Sequence, residues 1–471
     1  MKLPKIPTSD NSTNLSISLN MHRLLLLLFI VFIAAFTDNK KLQSVAKTDD
    51  FIIEIDQLFS DYDRSDTPGC VVSVFRDGET LYQKSYGLAN LDYGIPLASN
   101  SSFYMASISK QITAAAAGLL ILRGEISYND SVSDHIEYWP DWADDVTISH
   151  LMNHTSGLPD IYALMDIAGI SLSNVMTLDD YLEVIRNGES LKHQPGALYS
   201  YTNSGYTTLA GVIEKVSGVH FPEFVKQEIL DPLGMENSHF HASRHRVIPN
   251  RVISYSPGSG QFRQTYLSNF QGVGPGGLYS THADWEKWET FWSSDSNISE
   301  EFIKLKTLML TREMLNGNPL DYAMGLQISE WKSMQVVGHS GSFMGFKNDY
   351  RRYPDQGFSF LTLCNREDAD ATEKNRNLAK IFLKDRIEQF LEPYSGIYYN
   401  SELGTEYELT IEDGNLVLNR RLSPTGPMTE DSFDRWLAGS WEFEFQRDQN
   451  DIITGFLLST GRALHVEFVK Q

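Results

Sequence analysis

The chain reads as an α+β protein: an antiparallel five-stranded sheet flanked by helices, an all-helical subdomain, and a small all-β domain at the C-terminus. Three observations carry this reading. Strand-like stretches at 71–75 and 80–86 flank Asp77-Gly78, a residue pair favoured in tight hairpin turns. A long section from 103 to about 331 has mostly helical periodicity, broken by Gly/Pro loops. Strands then return at 335–338, 346–353 and 358–364, so two strands, a block of helices and three strands imply one sheet with segregated helices.

The elements follow in order. Residues 51–59 form a short amphipathic helix with Phe51, Ile52, Ile55, Leu58 and Phe59 on one side. Ser107 opens an apolar, Ala-rich helix that Gly124 caps. A polar loop, 199–205, precedes a helix containing Leu209, Val212, Ile213 and Val216. Thr281 and Asp284 resemble a capping box ahead of Trp285, Trp288 and Trp292, whose helical spacing marks them as core. Pro354-Asp355-Gln356-Gly357 makes a turn, and an amphipathic helix through Leu378, Ile381, Phe382 and Phe390 ends at Pro393. Beyond Tyr394 come short alternating runs at 407–411, 416–418, 441–445, 452–458 and 463–468. The domains are therefore 1–37, a front segment; 38–50, a linker; 51–392, the main body; and 393–471, the β domain.

Composition excludes several classes. Lys and Arg number 39 against 61 Asp and Glu, a net charge of -22, which repels phosphate backbones; nucleic acid is not a partner. Cys70 and Cys364 are too few for a disulfide scaffold, and each lies in a strand pattern as a free, buried thiol. The twelve histidines lack ligand spacing, so neither a metal nor another cofactor is indicated. Residues 24–36 (LLLLLFIVFIAAF), after Arg23, suit a signal peptide, with an uncleaved membrane anchor as the alternative and Met21 as a candidate start. Either places the body outside the cytoplasm, whether periplasmic, secreted or anchored facing outward. Homo-oligomers are compatible with the sequence.

Three short motifs bear chemistry. Ser107-Ile108-Ser109-Lys110 starts a helix, and residues three apart share a helix face, so the Lys110 amine can reach the Ser107 hydroxyl. The helix start also supplies free N–H groups, and burial would lower the Lys110 pKa toward use as a base. Tyr201-Thr202-Asn203 lies at a helix entry, where loops present functional groups. His339-Ser340-Gly341 ends a strand through Val336 and Val337. His154, in Asn153-His154-Thr155-Ser156-Gly157, reads as a hydrogen-bonding organiser of its loop.

In this order the motifs resemble the serine β-lactamase and penicillin-binding-protein-like superfamily, in particular its class C β-lactamase, D-peptidase and esterase branch. The resemblance spans about 51–392 and extends to Thr67-Pro68-Gly69, Gly87-Leu88-Ala89, 151–159 (LMNHTSGLP) and 276–281 (GGLYST). It implies Ser107 as the acylated nucleophile, with Lys110 and Tyr201 sharing base and proton-shuttle work. It further implies Asn203 on the substrate amide, with His339, Ser340 and Gly341 along the leaving-group or carboxylate side. The oxyanion hole would be the backbone N–H groups of Ser107 and Ser342. The C-terminal domain is similar to the lipocalin-like appendage of some D-stereospecific peptidases.

His339 stands where many relatives carry the lysine of K-[ST]-G. A group half-charged near pH 6.5 there implies D-peptidase or carboxypeptidase action rather than efficient β-lactamase action. It also implies that carboxylate-bearing substrates weaken as pH rises through its transition. The expected partner is a small-molecule or peptide substrate, with peptidoglycan-derived fragments among the candidates. A carboxylesterase or weak β-lactamase is the alternative on the same site, and an inactive cell-envelope binding protein is the alternative of another class. Gly338-His339-Ser340-Gly341 is not a nucleophile elbow, because Ser342 replaces the last glycine and a strand follows.

Overall fold

The computed structural model describes residues 51–266, 269–296, 298–420 and 426–471. Two compact units result, 1–58 and Phe59–Gln471, and the described part of the first is a helix over 51–58. The expected signal segment lies outside the described residues. No helix among the described residues is long and apolar enough to cross a membrane.

The second unit is built on strands β1 (Cys70–Arg76), β2 (Glu79–Tyr86), β3 (Tyr322–Ala323), β4 (Leu326–Trp331), β5 (Met334–Phe343), β6 (Phe346–Tyr353) and β7 (Phe358–Cys364). Among the described residues they form one sheet, ordered β3-β4-β5-β6-β7-β1-β2, with each neighbouring pair antiparallel. The first hairpin turns on Asp77 and Gly78, both with positive φ, as its sequence requires. The expected five strands are all present, and β3 and β4 extend the sheet at one edge. They escape a pattern search because β3 has two residues and β4 exposes Ser329 and Glu330.

Helix α1 (Ser109–Leu122) crosses the core. Every residue from Ser109 to Leu120 is buried, which is why its pattern is apolar all round rather than striped. Its polar members are tied down: Gln111 Oε1 accepts from Trp288 Nε1 at 2.7 Å, and Thr113 donates to the Gly274 carbonyl at 2.8 Å. Against it pack α3 (Asn203–Ser217), which has α2 (Ile161–Ile167) at its side, and α4 (His282–Ser293), whose Trp285, Trp288 and Trp292 are core as expected. Thr281 caps α4 by accepting from the Asp284 N–H. The last amphipathic stretch divides at Leu383 into α5 (Ala371–Phe382) and α6 (Lys384–Leu391), and α5 covers the outer face of β6 and β7.

Cys70 and Cys364 are not free. They face each other in register on β1 and β7 and form a disulfide. Strand order makes neighbours of residues 294 positions apart, which spacing along the chain cannot reveal. Replacing both by Ala should cost about 2–5 kcal/mol of stability, read as a lowered urea midpoint against the unreduced parent.

The C-terminal strands are β8 (Gly396–Asn400), β9 (Thr405–Glu412), β10 (Asn415–Arg420), β11 (Thr429–Ser432), β12 (Arg435–Ala438), β13 (Trp441–Arg447), β14 (Ile453–Ser459) and β15 (Val466–Lys470). Their order is β10-β9-β8-β15-β14-β13-β12-β11, and a bridge between Val417 and Pro427 nearly closes the sheet into a barrel. Its core stacks Tyr398, Phe443, Phe445, Phe456 and Phe468. Lys332, in the β4–β5 turn, lies over the rings of Phe390 and Trp436 and so joins the large sheet to the β domain.

Candidate active site

A 3-10 turn, Ala106–Ile108, leads into α1, so the α-helix proper begins two residues after Ser107. Ala106 has φ +50, a left-handed conformation that costs a non-glycine residue about 1–3 kcal/mol and recurs at functional sites. This kink brings Ser107 to the surface of the core. Between residues 101 and 120 it alone is not buried.

Lys110, one turn on, is fully buried, and its Nζ reaches Ser107 Oγ at 3.1 Å, Asn203 Oδ1 at 2.9 Å and the Pro275 carbonyl at 2.9 Å. The last two can only accept. A neutral Lys110 amine, with two N–H donors and one lone pair, must therefore spend its donors on them and aim the lone pair at the Ser107 hydroxyl. Burial holds the amine well below the usual lysine pKa, opposed by the Asp160 charge. The rings of Tyr201 and Tyr206, 4.8 and 5.6 Å from Nζ, favour the ammonium only modestly. Desolvation is the largest influence, and it favours the neutral base.

Tyr201 and Asn203 arrive at the start of α3, where Thr202 caps the helix by accepting from the Ser204 N–H. Burial raises the Tyr201 phenol, whose strongest opposing influence is a hydrogen bond with Ser107. Near neutral pH it is therefore a proton donor rather than a phenolate. Asp160 positions this corner and was not evident from the sequence. Its Oδ2 accepts from the Asn203 backbone N–H at 2.7 Å and from Asn203 Nδ2 at 2.9 Å, which fixes the amide with Oδ1 toward Lys110. The one local signal is its place as N-cap of α2 directly after Pro159. Asp160→Asn should lower kcat about 10–100-fold by loosening Asn203. Because the Asp160 charge raises the Lys110 pKa, the acid limb of the pH–rate profile should also move to lower pH.

The opposite wall is β5. His339 was expected just past a strand ending at Gly338, but β5 runs through it to Phe343. Two-residue turns bound β5 at each end, pairing Trp331 with Met334 and Phe343 with Phe346. Even-numbered β5 residues therefore bond toward β4 and odd-numbered ones toward β6. Pairing with β4 stops at Gln327 opposite Gly338, so the backbones of Ser340 and Ser342 face the cleft from an open edge. Gly341 lets this edge approach the nucleophile: a Cβ there would stand 2.4 Å from the Met105 carbonyl oxygen and 3.3 Å from the Ser107 nitrogen. The strand edge that carries Ser342 thus packs closely against the nucleophile turn.

The expected half-charged histidine is corrected. His339 is 2 % exposed, and burial with the neighbouring Lys110 charge pushes its pKa down to about 3. It is neutral throughout pH 5–8, so a substrate carboxylate gains no titrating partner there. Its Nδ1 lies 2.6 Å from the Ser340 carbonyl, which can only accept, so Nδ1 carries the proton and Nε2 faces the Tyr322 hydroxyl at 3.2 Å. Lys347, on the neighbouring strand, donates to Ser342 Oγ at 2.8 Å. His154 accepts from the Thr202 N–H and packs against Tyr201 with ring centroids 4.2 Å apart, so it organises this loop.

A sequence model of the Beta-lactamase family matches residues 55–382. Penicillin-binding protein 4* of Bacillus subtilis (strain 168) is 31% identical over 310 residues, 62% of this chain and 66% of that protein. D-aminopeptidase of Gluconobacter oxydans (strain 621H) is 25% identical over 361 residues, 76% of this chain and 68% of that protein. The chain thus spans about two thirds of the length of these relatives. Among solved structures, the octameric penicillin-binding protein homologue from Pyrococcus abyssi superposes with a TM-score of 0.61 at 22% identity, covering 90% of this chain and 100% of the other. A D-stereospecific amidohydrolase from Streptomyces gives 0.58 at 19%, covering 70% and 98%. With the family model covering well over half of its length, the chain belongs to the Beta-lactamase family and is a serine hydrolase of the penicillin-binding-protein-like kind.

Proposed function

We propose that the chain is a D-amino-acid-specific peptidase that works through an ester-linked acyl-enzyme on Ser107. The observation that carries the chemistry is the Lys110 amine, held by two acceptor-only oxygens so that its lone pair meets the Ser107 hydroxyl. Lys110 removes the Ser107 proton as Oγ attacks the carbonyl carbon. The oxyanion is held by the Ser107 and Ser342 N–H groups, and Asn203 orients the substrate amide. Tyr201, kept protonated by its surroundings, delivers a proton to the leaving nitrogen; it regains one from the water that then attacks the ester, while Lys110 returns its proton to Ser107 Oγ.

D-specificity is supported by the relatives named D-aminopeptidase, and preference for peptides over β-lactams by the neutral His339. A carboxypeptidase needs a charge beside the scissile bond for its substrate's carboxylate, and His339 does not supply one. The disulfide favours an oxidising setting, in keeping with an extracytoplasmic body led by the 24–36 segment. Residues 51–392 would be the hydrolase domain and 393–471 an appended β domain.

The test is intact-mass analysis of residues 38–471 after incubation with an activated fluorophosphonate, with a penicillin, and with D-alanyl amides, beside a Ser107→Ala control. Fluorophosphonate adduct and D-amide turnover, both absent in the control, are expected. Ester turnover without amide turnover would move the assignment to a carboxylesterase. Failure of every reagent to modify Ser107 would favour a binding protein.

A further inference from the structure

A cavity of about 650 Å³ opens on the outer face of the sheet, where β4, β5 and β6 meet α5 and the 315–321 loop. Tyr199, Leu320, Gln327, Trp331, Arg351 and Arg376 mark its extent. We propose that this cavity receives the leaving-group side of a peptide substrate, several residues long and ending in a carboxylate. The inference rests on the peptidase reading above and adds the class of substrate.

An extended substrate paired to the open β5 edge at Ser340 and Ser342 runs, toward Gly338, into the end of β4. The cavity begins there, at Gln327 opposite Gly338, and Tyr199 lines it two residues before Tyr201. It then follows β4 from Gln327 to Trp331, about 13 Å of strand, a length that about four extended residues would match. Its volume falls within the roughly 300–1,000 Å³ typical of built ligand sites.

Tyr199, Trp331 and Tyr353 offer ring faces, while Gln327 offers an amide for a main chain. Arg351 is committed: its guanidinium bonds Asp349 and, through Nη1, Gln327 Oε1 at 2.8 Å, and so it stiffens the mouth. Arg376 is available. Its partner is Glu373, one turn away, both about half exposed, and such surface pairs contribute little. The lining carboxylates are Asp321, which Arg312 pairs at 2.6 Å, and Glu330 at the far end near Trp331. A peptide carboxylate thus finds its cation at Arg376, well beyond the scissile bond, rather than at the neutral His339.

The experiment compares kcat/KM for D-alanylglycine amide, D-alanyl-tetraglycine and D-alanyl-tetraglycine amide. Alongside, calorimetry measures tetraglycine binding to Ser107→Ala. The parent enzyme should favour the long free acid over the short amide at least about 10-fold, converting to over 1.4 kcal/mol. Ser329→Trp, which fills the cavity from an exposed position of β4, should bring that ratio near one and abolish tetraglycine binding. Arg376→Ala should remove the preference for free acid over amide at equal length. A parent ratio near one, or ratios unchanged in both variants, overturns the proposal. If no D-alanyl substrate is turned over while tetraglycine still binds Ser107→Ala and Ser329→Trp abolishes that binding, the cavity assignment stands and the D-peptidase reading falls.

Discussion

Lys110→Met should leave a folded protein whose acylation by fluorophosphonate and by substrate falls about 10²–10⁴-fold, the usual contribution of a positioned base. The loss should appear in kcat/KM, because Lys110 acts before the acyl-enzyme exists. The parent pH profile follows from the direction of the shift. A lysine pKa lowered by burial leaves the neutral, basic amine dominant above that lowered value, so acylation declines as pH falls through it. Lys110→Met should lack this acid limb altogether.

The same shift affects stability with a definite sign. The folded state binds fewer protons on Lys110 than the unfolded state between the lowered pKa and about 10.5, so folding is opposed in that window and less so as pH rises. Parent stability relative to Lys110→Met should therefore increase from pH 7 toward 10, measurable by urea unfolding at the two pH values. A difference independent of pH would mean that Lys110 is folded with its ordinary pKa, and Tyr201 would then be the better candidate for the base.

The sequence made Ser107 and Lys110 legible because their relation is local. Three positions along a helix fix a distance, and an apolar helix announces burial. Tyr201, Asn203 and His339 were found as motifs whose order was informative, yet their charge was not. The neutrality of His339 comes chiefly from its burial on the strand, a long-range consequence of the fold. Asp160 was hidden for a related reason. An aspartate before a helix ordinarily caps it, and this one does, through Oδ1 to the Tyr162 N–H. Its second oxygen reaches Asn203, 43 residues later, which only the packing of α2 beside α3 can create. The disulfide and the two added edge strands escaped likewise, since each is a statement about neighbours in a sheet.

Gly341→Ala changes a single methyl group and should nevertheless reduce kcat/KM about 10²–10³-fold, the scale of losing one oxyanion donor. Its Cβ would stand 2.4 Å from the Met105 carbonyl oxygen, 3.2 Å from Ala106 Cβ and 3.3 Å from the Ser107 nitrogen. None of these is the end of a flexible side chain. The strand must retreat from the nucleophile turn, and the Ser342 N–H retreats with it. Retreat is feasible without unfolding because β5 has no β4 partner beyond Gly338, so the edge that moves is held from one side only, by β6. The variant should therefore keep a near-parent urea midpoint while losing activity, whereas Gly338→Ala, whose Cβ would stand 1.9 Å from the Tyr350 carbonyl oxygen inside the sheet, should lose stability itself. If Gly341→Ala kept full activity, the Ser342 N–H could not be an oxyanion donor that depends on this contact. The edge of β5 would then serve substrate binding alone.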